Sequence, residues 1–212
     1  MAWGASALLA IALLQATATP MNACPATSDE EKDGLACPTP GARSIEVLAE
    51  GAQDFTFCSR CADCWTGLRL QAGIAYRVEI LGEPIGWRDK DWSAASVEEA
   101  LAGWHGTSDL LRQQAPWSWD RFWTRAASPF IWLSARTFRR VTSADWFQIF
   151  MVVRDDQGGE TEPERLAARS QDFTPTLSGE LYLFVNDVSI LYTNNRGRMT
   201  LRISPVDAGQ GG

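Results

Sequence analysis

The sequence has little of what enzymes commonly use for acid–base chemistry. It contains one histidine, His105, and neither a GxSxG nor an HExxH motif. Catalysis would therefore depend on carboxylates alone. The adjacent acids Glu98-Glu99 and Asp155-Asp156 are typical of solvated faces and turns. We expect no enzymatic activity.

Positive charge is also scarce. Nineteen Lys and Arg stand against 26 Asp and Glu, which gives a net charge of −7. Because phosphate binding needs clustered basic side chains, we expect no nucleic-acid partner. The chain has no internal repeat, and 212 residues with 45% apolar content predict one domain with a substantial core.

The first 18 residues contain no charged side chain. Their apolar run, residues 7–14, is too short to span a bilayer easily, and Ala16-Thr17-Ala18 fits the small-x-small cleavage rule. We therefore predict a signal peptide over residues 1–18 and an exported protein, periplasmic or secreted, with no stable membrane span after signal removal. An uncleaved N-terminal anchor and a lipid on Cys24 are the alternatives.

The five cysteines lie in the first third of the chain: Cys24, Cys37, Cys58, Cys61 and Cys64. Export favours disulfides, and Cys24 and Cys37 flank a polar loop across which they could pair. The CxxC spacings in "CSRCADC" also suit zinc, but His105 is the sole histidine candidate for a fourth ligand. We favour disulfides over zinc, and the odd number leaves one thiol or an intermolecular bond.

The hydrophobic pattern predicts an all-β fold. Residues 19–43 are polar and rich in Pro, which indicates a linker, and residues 206–212 indicate a disordered tail. Between them, over residues 44–205, about eight short alternating runs predict an antiparallel, jelly-roll-like β-sandwich. Residues 83–144 break this rhythm and predict a Trp-rich, partly helical insertion, in which Ser96 and Glu99 form a capping box.

The chain near its C-terminus concentrates oxygen-bearing side chains around one loop. In "GELYLFVNDVSILYTNNRG", Asp187 follows an apolar run, and Asn194 and Asn195 precede Gly197. One carboxylate, two amides and a backbone carbonyl near Leu191 are the hard oxygens that calcium prefers. The other interpretation is a hairpin turn in which Asp187 accepts hydrogen bonds from backbone N–H groups.

This loop and its flanking strands, "GELYLFVNDVSILYTNNRGRMTLRI", resemble the C-terminal hairpin of the PA-I galactophilic lectin family, small β-sandwiches that bind galactose through calcium. The segments "CWTGLRLQAGIAYRVEILGEPIGW" and "DWFQIFMVVRDDQGG" are also similar to that family. The similarity covers roughly residues 54–87 and 145–204, and the hairpin is its specific part.

The resemblance implies five metal ligands: side chains of Asp187, Asn194 and Asn195, and backbone oxygens of Leu191 and Gly86. A sugar diol would bind the same calcium, with Asp187 and Asn194 also contacting its hydroxyls. His105 and Trp87 are further candidate sugar contacts, although His105 could instead be a surface or core histidine and Trp87 a core residue. The family often has Thr where this chain has Leu191, which puts galactose specificity in question.

We therefore expect an exported, calcium-dependent carbohydrate-binding module for galactose-like or other vicinal-diol sugars, with a homo-oligomer left open. The alternative is a structural or adhesion sandwich that uses calcium only for stability.

Overall fold

The computed structural model describes most of the expected sandwich domain. The residues it describes are 37, 43–89, 92–104, 140–187, 192 and 195–206. The predicted signal peptide, the predicted tail beyond residue 206 and residues 105–139 of the predicted insertion lie outside them. So does the predicted linker, apart from residues 37 and 43.

The described residues form nine strands and two short helices. In chain order these are β1 (Ile45–Glu46), α1 (Val47–Glu50), β2 (Gln53–Cys58), β3 (Cys64–Leu70), β4 (Tyr76–Arg88), α2 (Val97–Ala102), β5 (Ile149–Arg154), β6 (Glu164–Arg165), β7 (Ser170–Phe173), β8 (Gly179–Val185) and β9 (Arg196–Pro205). One sheet has the order β1-β3-β8-β5-β6 and the other β2-β9-β4-β7. All neighbouring pairs are antiparallel except β1 and β3, which are parallel. The prediction of an all-β sandwich is confirmed.

The main core lies between the two sheets. It forms because apolar residues occur at every second position along each strand. On β4, Tyr76, Val78 and Ile80 are buried while Arg77 is exposed. On β9 the alternating residues Met199, Leu201 and Ile203 are buried in the same cluster. Because side chains on a strand point alternately to its two faces, these apolar positions meet those of the opposite sheet.

The five-stranded sheet is apolar on its outer face as well. Phe150 and Val152 of β5 and Phe184 of β8 form a second buried cluster there, and Val141 and Ala144 pack against it. The rings of Phe150 and Phe184 are stacked with centroids 5.5 Å apart. This explains why β5 has no polar alternation: it is covered on both sides.

The chain between β4 and β5 contains the predicted N-cap at Ser96, but Glu99 accepts from the residue before Ser96 and not from Ser96 N, so the capping box forms only in part. Ser96 Oγ accepts a hydrogen bond from Glu99 N at 3.2 Å, and Glu99 Oε2 accepts one from Ala95 N at 2.7 Å. The short helix α2 follows, as predicted. β4 itself continues to Arg88, beyond the position where the sequence pattern starts to break. Trp104 and Trp146 then pair as an isolated antiparallel bridge.

The cysteines are paired differently from the Cys24–Cys37 loop considered above. Cys37 forms a disulfide with Cys58, with 6.1 Å between their Cα atoms, so the Cys24–Cys37 pairing is wrong. Cys61 is also disulfide-bonded, while Cys64 is a buried free thiol. With Cys58 and Cys61 oxidised, "CSRCADC" has no set of thiolates for zinc. In the described part of the chain, no helix has the length and apolarity needed to cross a membrane.

Candidate metal and ligand site

Two of the predicted metal ligands lie where β8 ends and β9 begins. Asp187 is two residues beyond β8 and 5% exposed, and Asn195 directly precedes β9 and is fully buried. Between them in the chain, Tyr192 accepts a hydrogen bond from Asn195 N at 3.2 Å and donates its hydroxyl to Val185 O. Burial raises the pKa of Tyr192, and the charge of Asp187 raises it further. Tyr192 thus connects both ligand positions.

The side chain of Asn195 is anchored through only one half of its amide. Its Nδ2 donates to Ser59 O at 3.2 Å, whereas its Oδ1 is buried and makes no hydrogen bond. Ser59 is in turn fixed to β9, because its N–H donates to Gly197 O at 3.1 Å. A buried carbonyl oxygen without a donor costs about 1–3 kcal/mol. A cation bound to that oxygen would offset this cost.

Gly86, the predicted backbone ligand, lies in an irregular part of β4. The register between β4 and β9 shifts between Ile85 and Arg88, and Gly86 has a φ of 61°, a left-handed conformation that glycine adopts without strain. A Cβ on Gly197 would stand 2.5 Å from Gly86 O, so the two backbones touch here. Gly86 therefore lies outside the regular ladder of β4 and β9, with its carbonyl oxygen close to Gly197.

Contacts between the sheets bring Gly86 and Asp187 to the same end of the sandwich. The ring of Trp87 meets that of Phe147 edge-on, with centroids 6.0 Å apart. Phe147 N in turn donates to Asn186 O at 3.0 Å. Because Gly86 precedes Trp87 and Asp187 follows Asn186, this chain of contacts connects the two predicted ligand positions.

Asn186 fixes the chain immediately before Asp187. Its Oδ1 accepts a hydrogen bond from Val141 N at 3.0 Å, and its Nδ2 donates to Val141 O and Asp145 O at 2.9 Å and to Ala144 O at 3.3 Å. The side chain is fully buried and both of its polar atoms are hydrogen-bonded. Asn186 therefore ties the segment that leads into β5 to the start of the candidate metal loop.

The donor set at this end fits a hard cation. The carboxylate of Asp187, the amide oxygen of Asn195 and the carbonyl of Gly86 are all oxygens, as calcium prefers. Oδ2 of Asp187 is buried and accepts no hydrogen bond, although the residue interacts elsewhere. Within the described ranges no three His, Cys, Asp or Glu side chains cluster for metal binding, and a site with one carboxylate would not contain such a cluster. The other two predicted ligands, Leu191 and Asn194, lie outside the described residues.

The prediction that Trp87 contacts a sugar is wrong. Trp87 is fully buried, and its ring packs against Phe57 at 5.5 Å between centroids as well as against Phe147. An indole with no exposed face cannot stack on a ligand, so Trp87 is a core residue beneath the site. His105, the other proposed sugar contact, lies outside the described residues.

Three residues that support the site were not found from the sequence: Ser59, Asn186 and Tyr192. The sequence did contain a clue to Asn186, because this residue directly precedes Asp187 in the motif. Tyr192 occurs in the same loop but carries no distinguishing spacing. Ser59 is 136 residues from Asn195 and lies among the cysteines, so only the folded chain reveals their contact.

The fold places the protein in the broad class of all-β sandwiches. No protein-family model, curated protein or solved structure matches the chain.

Proposed function

We propose that this protein is an exported, calcium-dependent carbohydrate-binding module, lectin-like and without catalytic activity. The observation that carries the proposal is Asn195 Oδ1, a buried amide oxygen with no hydrogen-bond donor, held in place by the contact of Nδ2 with Ser59. The resemblance to the PA-I galactophilic lectin family assigns a calcium ligand to the same side chain.

Sugar binding follows from the composition of the donor set. One carboxylate, Asp187, together with neutral oxygens supplies less charge than tight calcium sites usually have. Coordination positions remain for the ligand, and the two hydroxyls of a vicinal diol replace water there. Hydrogen bonds from those hydroxyls to the Asp187 carboxylate are charge-assisted, so affinity would come from polar contacts and not from buried area.

Export is supported by the disulfide chemistry and by the N-terminal sequence. The Cys37–Cys58 disulfide suits an oxidising compartment, where such bonds form and persist. The uncharged, apolar residues 1–18 have the features of a signal peptide.

The test is thermal unfolding combined with titration calorimetry. We expect EDTA to lower the unfolding temperature, calcium to restore it, and galactose to raise it further only when calcium is present. A glycan array with calcium would then identify the preferred sugar. An unfolding temperature unaffected by EDTA and calcium would refute the metal site.

The second candidate function is a structural or adhesion domain with a stabilising calcium and no sugar. The burial of the ligand positions favours it, because Asn195 is fully buried and Asp187 is 5% exposed. A sugar needs access to the metal, and a cation enclosed by these side chains would act only as a cross-link. Calcium that raises the unfolding temperature while no sugar adds to it would support this candidate over the lectin.

A further inference from the structure

Three arginines lie on the outer face of the four-stranded sheet, next to the candidate metal site. We name Arg88, Arg196 and Arg198 the arginine face. Arg88 of β4 is directly opposite Arg196 of β9, and Arg198 follows two positions later, on the same side of the strand. Arg196 adjoins Asn195 in the chain, and Arg88 is two residues from Gly86. The arginine face therefore borders the proposed calcium ligands.

Opposing like charges are unfavourable in an antiparallel pair, where the facing Cβ atoms are only about 5 Å apart. An excess of basic residues does not explain this pairing, because the net charge of the protein is −7. Neither Arg88 nor Arg198 forms an ion pair with any residue in the described part of the chain, and Arg196 has interactions of its own. Arg88 and Arg198 therefore leave positive charge at this end of the sheet, and a bound anion would neutralise it.

Two other arginines of the same sheet, Arg77 and Arg202, each have a carboxylate partner. Arg77 meets Asp172 through two hydrogen bonds, with 2.7 Å between Nε and Oδ1. Arg202 meets Asp54 in the same way, at 2.6 Å. The sheet thus provides carboxylate partners for Arg77 and Arg202, whereas Arg88 and Arg198 have none in the described part of the chain.

We infer that the arginine face binds an acidic group of the saccharide, a carboxylate or a sulfate ester, while the calcium site holds its diol. This inference rests on the proposed function and adds the ligand class, an acidic sugar. Guanidinium groups suit it because their planar N–H donors match the oxygen pairs of carboxylates and sulfates.

The test compares three sugars that share the same ring diol: galactose, galacturonic acid and galactose 6-sulfate. With calcium and low salt, we expect one or both acidic sugars to bind at least about tenfold more tightly than galactose in titration calorimetry. The two acidic probes distinguish a carboxylate from a sulfate ligand. Added sodium chloride should lower the affinity for the acidic sugar and leave the affinity for galactose unchanged. This measurement needs no variant.

Variants locate the effect. Arg88→Gln and Arg198→Gln should remove most of the preference for the acidic sugar and retain the affinity for galactose. Arg77→Gln is the matched control, because it removes one positive charge from the same sheet away from the site, and it should retain the preference.

Equal affinities for galactose and both acidic sugars would overturn this inference and leave the proposed function standing. A preference that survives Arg88→Gln and Arg198→Gln would also overturn it. If no sugar binds in the presence of calcium, both the inference and the proposed function fail.

Discussion

Two fully buried asparagines at one end of the sandwich permit a sharp test of the metal site. Asn186 has both of its polar atoms hydrogen-bonded, whereas Asn195 has an oxygen with no donor. Leucine has nearly the shape of asparagine, so Asn195→Leu removes the polar atoms and fills the same space. Its effect on stability should depend on calcium, while that of Asn186→Leu should not.

The expected magnitude for Asn195→Leu without metal is small. The variant leaves the carbonyl of buried Ser59 without its donor, which costs about 1–3 kcal/mol, and it removes the unbonded Oδ1 of Asn195, which itself costs about 1–3 kcal/mol. These two changes oppose each other, so the free energy of unfolding in EDTA should shift by no more than about 1–2 kcal/mol.

With calcium the same substitution should be clearly destabilising. A ligand at a hundred times its dissociation constant stabilises the folded state by about 2.7 kcal/mol, and the variant would lose this contribution. For a domain of this size, that corresponds to roughly 5–10 °C in unfolding temperature. Asn186→Leu should instead destabilise by several kcal/mol in both conditions, because part-buried backbone groups at Val141, Ala144 and Asp145 lose their partner together.

The assay is tryptophan fluorescence during thermal unfolding, with EDTA and with saturating calcium, for the wild type and both variants. The decisive quantity is the calcium-induced shift, compared between wild type and Asn195→Leu. If Asn195→Leu keeps the full shift of the wild type, Asn195 is not a ligand and the reasoning from its unbonded oxygen is wrong.

The remaining predictions concern charge, backbone and thiol chemistry. Asp187→Asn should abolish the calcium-induced shift in unfolding temperature, and a retained shift would place the metal elsewhere. Gly197→Ala should destabilise by more than about 3 kcal/mol in urea unfolding, because its φ is 105° and its Cβ would meet Gly86 O at 2.5 Å. Gly73→Ala, also at positive φ but with nothing within 4 Å, should cost about 1–2 kcal/mol, and equal losses at both positions would contradict the steric argument. Burial raises the pKa of Cys64 from 9.0 to about 11, so folding favours the protonated thiol. Its contribution to stability is complete below pH 9 and is lost as the pH rises through about 11. Iodoacetamide at pH 8 should therefore modify Cys64 at least about 100-fold more slowly in the native protein than in urea, and similar rates would refute this.

The sequence predicted the strands well wherever one face of the sheet is buried and the other is exposed to solvent. The alternation of Tyr76, Val78 and Ile80 with charged residues is such a case, and the structure buries all three. The N-cap at Ser96 was equally clear, because its hydrogen bond to Glu99 N joins residues only three positions apart. Local rules of this kind need no knowledge of the rest of the chain.

The residues that shape the site follow from contacts over long separations. Asn195 is anchored by Ser59, 136 residues away, and Asn186 by residues 41 to 45 positions earlier. Trp87 lies next to Gly86 in sequence, yet the bulge and the close approach of Gly197 direct it into the core. No period or spacing encodes these choices, so the sequence left Trp87 open between a sugar contact and a core residue.

The pairing of Trp104 with Trp146 has a consequence for how this protein can be engineered. The two tryptophans exchange backbone hydrogen bonds, Trp104 N to Trp146 O at 2.6 Å and Trp146 N to Trp104 O at 3.2 Å. This bridge holds the chain at Trp104 against the chain at Trp146, and the segment just before Trp146 also contacts the sandwich, through Arg140 to Asp63 and Glu160. Any redesign of the chain after Trp104 therefore has to retain residues 140–146, because Asn186 would otherwise lose its partners at Val141, Ala144 and Asp145.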